Sequence, residues 1–466
     1  MLFSDPVFFV FFAVYFGLHV ITPPRYRLYL LIIGSTIFYS WWKFEYVWVP
    51  YLLSLTAWLG VRWFESIVTP EARKRRLVVT LVVLFAPLAL FKYTHFFIYD
   101  VVGVFAGVSQ YIPGDEFRFS LPLGISFVTF TLTAYVINVY RGQFPSERRL
   151  SVMLGYVLFF PHLIAGPILR PHELIPQLLK TRPALGARFT LGAALFVMGL
   201  SKKLIFADAI SPYVDRAFVP GIHLSAFDYL LAIYGFSMQI YCDFSGYTDM
   251  AIGLAYLLRI RLPQNFRVPY NSRSVIEFWH RWHITLSHWL RDYLYIALGG
   301  NRRGFARHLL NLTATMLLGG LWHGASWTFV IWGGLHGIGI SCNHLAHRMW
   351  PKLRMPAWLG LFITFHFVAL GWIYFRAPNI AVAHSVLVGA LTGSASGLAG
   401  FVSEHLYVLI LMLVFIVTHR WDSHARVRLA LQHSPKPVVW ATVLGVATLA
   451  IALSQGSSAK FIYFDF

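Results

Sequence analysis

Two histidines stand out for the company they keep. The stretch from Gly319 to Gly337, GGLWHGASWTFVIWGGLHG, is long enough to cross most of a bilayer, yet His323 and His336 are its only ionisable groups. An ionisable side chain at membrane depth costs about 2.5 kcal/mol or more on insertion scales, so it usually faces a cavity and has a task. Imidazole is the side chain best suited to moving protons near neutral pH, which makes His323 a candidate catalytic base. Gly324, Ala325 and Ser326, with Trp322 and Trp327 on either side, suit a narrow tunnel where backbone approaches a ligand closely. On a continuous helix the thirteen residues to His336 span about 20 Å. His336 is therefore read as structural, unless the helix breaks.

A second constellation lies upstream in EFWHRWHITLSHWLRDYLY, Glu277 to Tyr295. Helical spacing would put Trp279, His283 and Leu286 on one face, and Arg281, Arg291 and Asp292 could form a charge network or bind phosphate. An interfacial amphipathic helix with snorkelling cations is the plainer alternative. His280 and His283 stand three apart, but the chain has no HExxH, no carboxylate at a suitable offset and no thiolate cluster, so no metal is expected.

In CDFSGYTDMAIG, Cys242 to Gly253, Asp243 and Asp249 sit in apolar surroundings and need partners, expected from the arginines of the following segments. They could instead relay protons, or Asp243 could cap a helix opening at Ser245 or Gly246. FPHLIAGPILRPHEL, Phe160 to Leu174, carries Pro161, Pro167 and Pro171 and cannot be one regular helix. It reads as a broken or re-entrant piece near a cavity.

The elements that position these groups are membrane helices. Of the 466 residues 58% are hydrophobic and 12% charged, against about 25% charged in a soluble domain, and the mean hydropathy is +0.62. Apolar runs recur near 6–21, 28–42, 44–61, 77–91, 121–139, 189–206, 226–242, 309–322, 326–343, 357–375, 404–418 and 437–454. About ten to twelve crossings are expected. Several runs are shorter than a straight crossing needs, so some should tilt, break or re-enter where neighbours satisfy the backbone. The first run lacks a basic n-region and a cleavage site and reads as a retained membrane helix.

The net charge of +19 sits in short loops between these runs: Arg73 to Arg76, Arg141 to Arg149, Lys180 to Arg188, Arg259 to Arg273, Asn301 to Arg307 and Arg420 to Arg428. That pattern fits loops facing anionic lipid, and it argues against nucleic acid. Trp and Tyr, 16 and 24 in number, suit interfacial belts and ring-lined cavities. Cys242 and Cys342 give no disulfide framework and read as inert core thiols. No internal repeat is visible, which counts against an inverted-repeat transporter. Between Tyr241 and Arg307 the chain is too polar to face lipid and too aromatic for a solvated loop, so a site belongs there.

FPHLIAGPILRPHEL, YCDFSGYTDMAIGL, FRVPYNSRSVIEFWHRWHITLSHWLRDYLYIALGGNR and MLLGGLWHG with its later LHG resemble the membrane-bound O-acyltransferase family, in the branch that O-acetylates exported polysaccharides. MLFSDPVFF and the ending FIYFDF look similar too. The resemblance covers nearly all of 1–466 as one integral membrane domain, with a core from about 120 to 380 and a tail at 461–466. It implies an all-α polytopic fold, a ring of tilted helices around a central tunnel, with about ten to twelve spans plus re-entrant helices. The family's essential histidine falls on His323, and its second polar position on His283.

The resemblance implies acetyl-coenzyme A as a cytosolic donor rather than a resident cofactor, a bacterial inner membrane location, and an extracytoplasmic SGNH-type partner that sets the acetyl on the sugar. Alginate comes first as that polymer, while systems for cellulose and peptidoglycan share the strings. FIYFDF looks like an F-x-Y-x-x-F motif in which Tyr463 receives the acyl group, although an aromatic tail anchored at headgroup level would look the same.

These readings converge on a membrane O-acetyltransferase with His323 as base and His283 orienting the thioester or steadying the oxyanion. Trp279, Arg281, Arg291, Asn301 and Arg302 are the candidate donor-binding residues, because cations at a cytosolic mouth attract phosphates. The rivals are a proton-coupled transporter or channel built on the buried Asp and His groups, and an inert scaffold for an export machine.

Overall fold

The computed structural model describes residues 1–103, 119–180, 182–352, 355–395, 397–454 and 461–462. Among these every regular element is helical, as lipid demands of a backbone that must satisfy its own polar groups. By length and composition five helices could cross a membrane: Pro70–Tyr93, Ala187–Ala217, Ala357–Arg376, Leu398–His419 and Lys436–Leu453. Pro6–Ile21, Ile125–Tyr140 and Ile380–Thr392 are apolar but shorter. The chain is an all-α multi-pass membrane protein.

The chain divides into two compact units, one of residues 1–196 with 250–263, the other of 197–249 with 264–466. In the first, Phe3, Phe8, Phe38 and Phe160 close a core of rings 4.9–6.0 Å apart. The proline-rich segment breaks as its sequence requires. Phe160–Leu163 and Pro171–Leu178 are separate short helices with prolines in their first turns, where the missing N–H costs nothing. Tyr156 ties this irregular backbone down: its hydroxyl donates to the Leu169 carbonyl at 2.8 Å, and its own carbonyl lies 3.0 Å from His162 Nε2. Gly124 opens the helix Ile125–Tyr140 at φ 69°, and any Cβ there would stand 2.6 Å from the Leu163 carbonyl oxygen.

The second unit carries the buried charge. Lys202 Nζ lies 2.6 Å from carboxylate oxygens of both Asp249 and Asp422, and Lys203 Nζ lies 2.8 Å from Asp208 and 2.9 Å from Asp243. His424 Nε2 meets the other oxygen of Asp249 at 2.6 Å. The partners of the two aspartates are thus lysines from an earlier span, not arginines from later segments. A stretch of π-helix, Lys202–Ala207, aims both lysines at the facing helix. Asp243 caps nothing, because Ala226–Leu257 runs unbroken through Ser245 and Gly246. Of the two thiols Cys242 is buried as read, but Cys342 is exposed.

Candidate active site

His323 is the last residue of the helix Phe305–His323. Gly324 is extended (φ −156°, ψ 145°), and the next helix, Trp327–Met349, starts afresh with the Ser326 hydroxyl accepting from the Thr328 N–H at 3.3 Å. The helix therefore breaks immediately after the histidine. Its two halves pack face to face through glycines: a Cβ on Gly320 would overlap the Phe329 carbonyl, and one on Gly333 the Met316 carbonyl. At Gly324 the Phe329 ring takes the space that a Cβ would need.

The break folds His336 back toward His323, with Trp332 between them at 5.0 Å from one ring and 4.9 Å from the other. His336 Nδ1 accepts from the Trp279 indole N–H at 3.2 Å. This bond joins the two side chains and occupies the indole N–H of Trp279.

His283 does not continue the helix before it. Ser274 caps Val275–Arg281 by accepting from the Glu277 N–H at 3.1 Å, and that helix ends before Trp282. His283 then takes the left-handed conformation (φ 42°, ψ 54°), and Ile284–Trp289 begins anew. Trp279, His283 and Leu286 consequently do not share a helical face, contrary to the spacing. A non-glycine residue at positive φ is uncommon and held only where its surroundings compensate the strain.

The break turns the His283 ring toward His323. Their centroids are 6.4 Å apart with planes at 61°. His283 is fully buried and His323 is 4% exposed. Trp322, Trp332 and Phe375 stand 4.9–5.3 Å from His323, while Phe244 packs edge-on against His283 at 4.8 Å. Two imidazoles, one at a helix end and one in the turn between two short helices, thus lie side by side among buried aromatic rings, where a proton acceptor and hydrogen bonds act with little competition from water. On the same unit a cavity of about 400 Å³ is lined by Tyr234, Met238, Tyr270, Phe365, Phe415 and His419. Tyr270 packs 6.3 Å from Trp282, the residue before His283.

The other expected residues are not gathered around these rings. Arg281 is half-buried and pairs with Glu277 at 2.6 Å, and exposed Arg291 pairs with Asp292 at 2.7 Å. Asn301 and Arg302 are exposed on the turn after Gly299 and Gly300. Tyr463 lies outside the described residues. The two residues before it are informative: Phe461 stacks on Tyr247 at 4.8 Å, and the Ile462 N–H donates to Asp243 at 2.8 Å.

Sequence reasoning missed Asn265, which is buried and hydrogen-bonded to His283 Nδ1 at 3.2 Å. Its place in QNFRVPY, a short polar stretch running into the aromatic-rich segment that holds His283, was the available signal.

A helical membrane chain with two converging buried histidines has the layout of a membrane acyl-transfer enzyme, and comparison with known proteins agrees. Residues 146–386 match the model of the membrane-bound O-acyltransferase family. The chain belongs to this family and is an acyltransferase. It is 40% identical over 389 residues to the probable alginate O-acetylase AlgI of Azotobacter vinelandii, covering 82% of this chain and 76% of that one. Identity to the AlgI protein of Pseudomonas aeruginosa is also 40%, over 82% and 73% of the two chains. The peptidoglycan O-acetyltransferase of Helicobacter pylori is 37% identical over 84% and 79%.

Proposed function

We propose that this enzyme takes acetyl from acetyl-coenzyme A at the cytosolic face of the bacterial inner membrane and delivers it outward for O-acetylation of an exported polysaccharide. The names of the AlgI relatives favour alginate, and that of the Helicobacter relative keeps peptidoglycan open. The observation that carries the reading is the pairing of buried His283, in the turn between two short helices, with buried His323 at a helix end, 6.4 Å away.

In this reading a hydroxyl oxygen attacks the thioester carbonyl carbon and His323 accepts its proton. The carbon–sulfur bond then breaks, and the departing thiolate takes the proton back. The thioester is already activated, so positioning and one proton acceptor suffice. His283 orients the reacting groups from the facing side. Arg281, Arg291, Asn301 and Arg302 are proposed at the coenzyme's phosphates, supported by the exposure of Arg291, Asn301 and Arg302 and by the basic loops around them.

Tyr463 is proposed as the first acceptor, its phenol becoming an ester that an extracytoplasmic SGNH-type partner resolves onto the sugar. The anchoring of Phe461 and Ile462 near His283 supports this. The tunnel ring and the ten to twelve spans belong to the same proposal. His323→Ala at unchanged membrane level is expected to lower polymer acetylation roughly a thousandfold. Unchanged acetylation would refute the role given to His323.

A further inference from the structure

The strained residue His283 is held from one short segment. The backbone N–H of Ile284 donates to the Asn265 carbonyl at 2.9 Å, and that of Arg267 donates to the Arg281 carbonyl at 2.8 Å. Segment 265–267 therefore grips the chain on both sides of the left-handed residue. The Asn265 side chain, 1% exposed, adds three bonds through one atom. Its Oδ1 lies 3.2 Å from the Thr285 N–H, 2.9 Å from the Thr285 hydroxyl and 3.2 Å from His283 Nδ1.

These partners fix the proton on His283. A backbone N–H can only donate, so the atom facing Thr285 must be the amide oxygen, and a flipped amide would set donor against donor. An amide oxygen can only accept, so His283 Nδ1 must carry the hydrogen. In the neutral ring the lone pair is then on Nε2. The same orientation leaves Asn265 Nδ2 buried with no hydrogen-bond partner among the described residues. A side chain present only for packing would not leave a donor stranded in an apolar site. The stranded donor is the cost of pointing the oxygen at Thr285 and His283 together.

We propose that Asn265 is a positioning residue for acyl transfer, which holds His283 in the Nδ1–H tautomer and makes Nε2 a second proton acceptor facing the reaction. This rests on the reading of the His283–His323 pair as the active site. It revises one part of the sequence reading, because an Nε2 lone pair cannot donate to an oxyanion. His283 instead takes up from His323 the proton that His323 accepts from the attacking hydroxyl, and returns it to the leaving thiolate, so no proton is gained or lost over the cycle. The arrangement follows the general rule that a hydrogen bond to one ring nitrogen sets the function of the other.

The test compares Asn265→Leu, Asn265→Asp and His283→Ala in the purified full chain reconstituted in vesicles, with coenzyme A thiol release from acetyl-coenzyme A followed against pH. Asn265→Leu is expected to lower kcat about a hundredfold, with KM for the donor within about twofold. Asn265→Asp keeps an acceptor at Nδ1 and is expected to recover at least a tenth of the activity. Its negative charge favours the imidazolium, so the acid limb of its kcat profile should move up by about one pH unit.

Thermal unfolding of each variant separates loss of fold from loss of tautomer. Folded Leu and Asp variants with equal activity and the wild-type limb would overturn the role of Asn265. So would a fully active Asn265→Leu beside an inactive His283→Ala. A His283→Ala variant that releases thiol at the wild-type rate would instead sink the reading of the site itself.

Discussion

The backbone N–H of Ile462 donates to Asp243 Oδ2 at 2.8 Å, while Lys203 holds the other oxygen of that carboxylate at 2.9 Å. The last described residues of the chain thus hang on a buried ion pair. Phe244, the next residue along, touches both Phe461 at 6.2 Å and His283 at 4.8 Å. One aromatic ring separates the anchored tail from the histidine pair.

That anchor can be removed without touching the ion pair. Ile462→Pro deletes the N–H, and Ile462→Ala keeps it. A hydrogen bond to a charged group is worth about 1.5–3 kcal/mol, so the proline variant is expected to lose transfer to the polymer at least roughly tenfold. The alanine variant should stay within about twofold. A disulfide between Phe461→Cys and Tyr247→Cys reports docking independently, and it should form in the alanine background and fail in the proline one. Equal cross-linking in both would show that the amide does not hold the tail.

The relay through Tyr463 makes a separate prediction. Tyr463→Phe removes the hydroxyl and keeps the ring, so tail docking should persist by the same cross-link. Label from radioactive acetyl-coenzyme A should appear on a carboxy-terminal peptide of the wild-type protein and be absent from the variant. Full polymer acetylation by Tyr463→Phe would limit the tail to a structural anchor.

The two histidines of the WHG and LHG strings should separate cleanly. His336 Nδ1 only accepts from Trp279, and its ring is packed among Phe278, Trp279 and Trp332. His336→Phe keeps most of that packing and loses one hydrogen bond, for an expected destabilisation of about 1–2 kcal/mol. Transfer should remain within about tenfold of wild type. The corresponding His323→Phe is expected to be inactive. Comparable losses from both substitutions would mean that Trp332 transmits more than packing.

The class of the fold was legible in the sequence, because it follows from composition. A charge-poor chain with recurrent apolar runs has few alternatives to membrane helices, and a lone histidine in such a run is conspicuous. The three prolines of Phe160–Leu174 likewise announced a broken segment.

What stayed hidden was geometry that no residue type dictates. The left-handed turn at His283 carries no glycine to signal it, so helical spacing pointed to a false face. The lysine partners of Asp243 and Asp249 lie more than 30 residues upstream, inside a run counted as apolar, although two adjacent lysines there already demanded carboxylates. Nothing in its type or spacing singles out Asn265. Its importance comes from the three groups that converge on one oxygen.

The hairpin that brings Trp332 and His323 together offers a stability test inside one dipeptide. Gly333 and Gly334 are neighbours on the helix Trp327–Met349, yet a Cβ on Gly333 would overlap the Met316 carbonyl, while one on Gly334 meets only Leu317 Cδ2 at 3.5 Å. Alanine is favoured over glycine within a helix by about 1 kcal/mol, so Gly334→Ala should leave the melting temperature unchanged or raise it. Backbone cannot yield as a side chain can. Gly333→Ala must therefore push the two helices apart, with an expected loss of about 1–3 kcal/mol. The same displacement moves Trp332 relative to His323, so coenzyme A release should fall in Gly333→Ala and hold in Gly334→Ala. Thermal unfolding in detergent, with thiol release measured on the same samples, checks both halves. Equal tolerance of the two alanines would mean that the helices do not cross at Gly333.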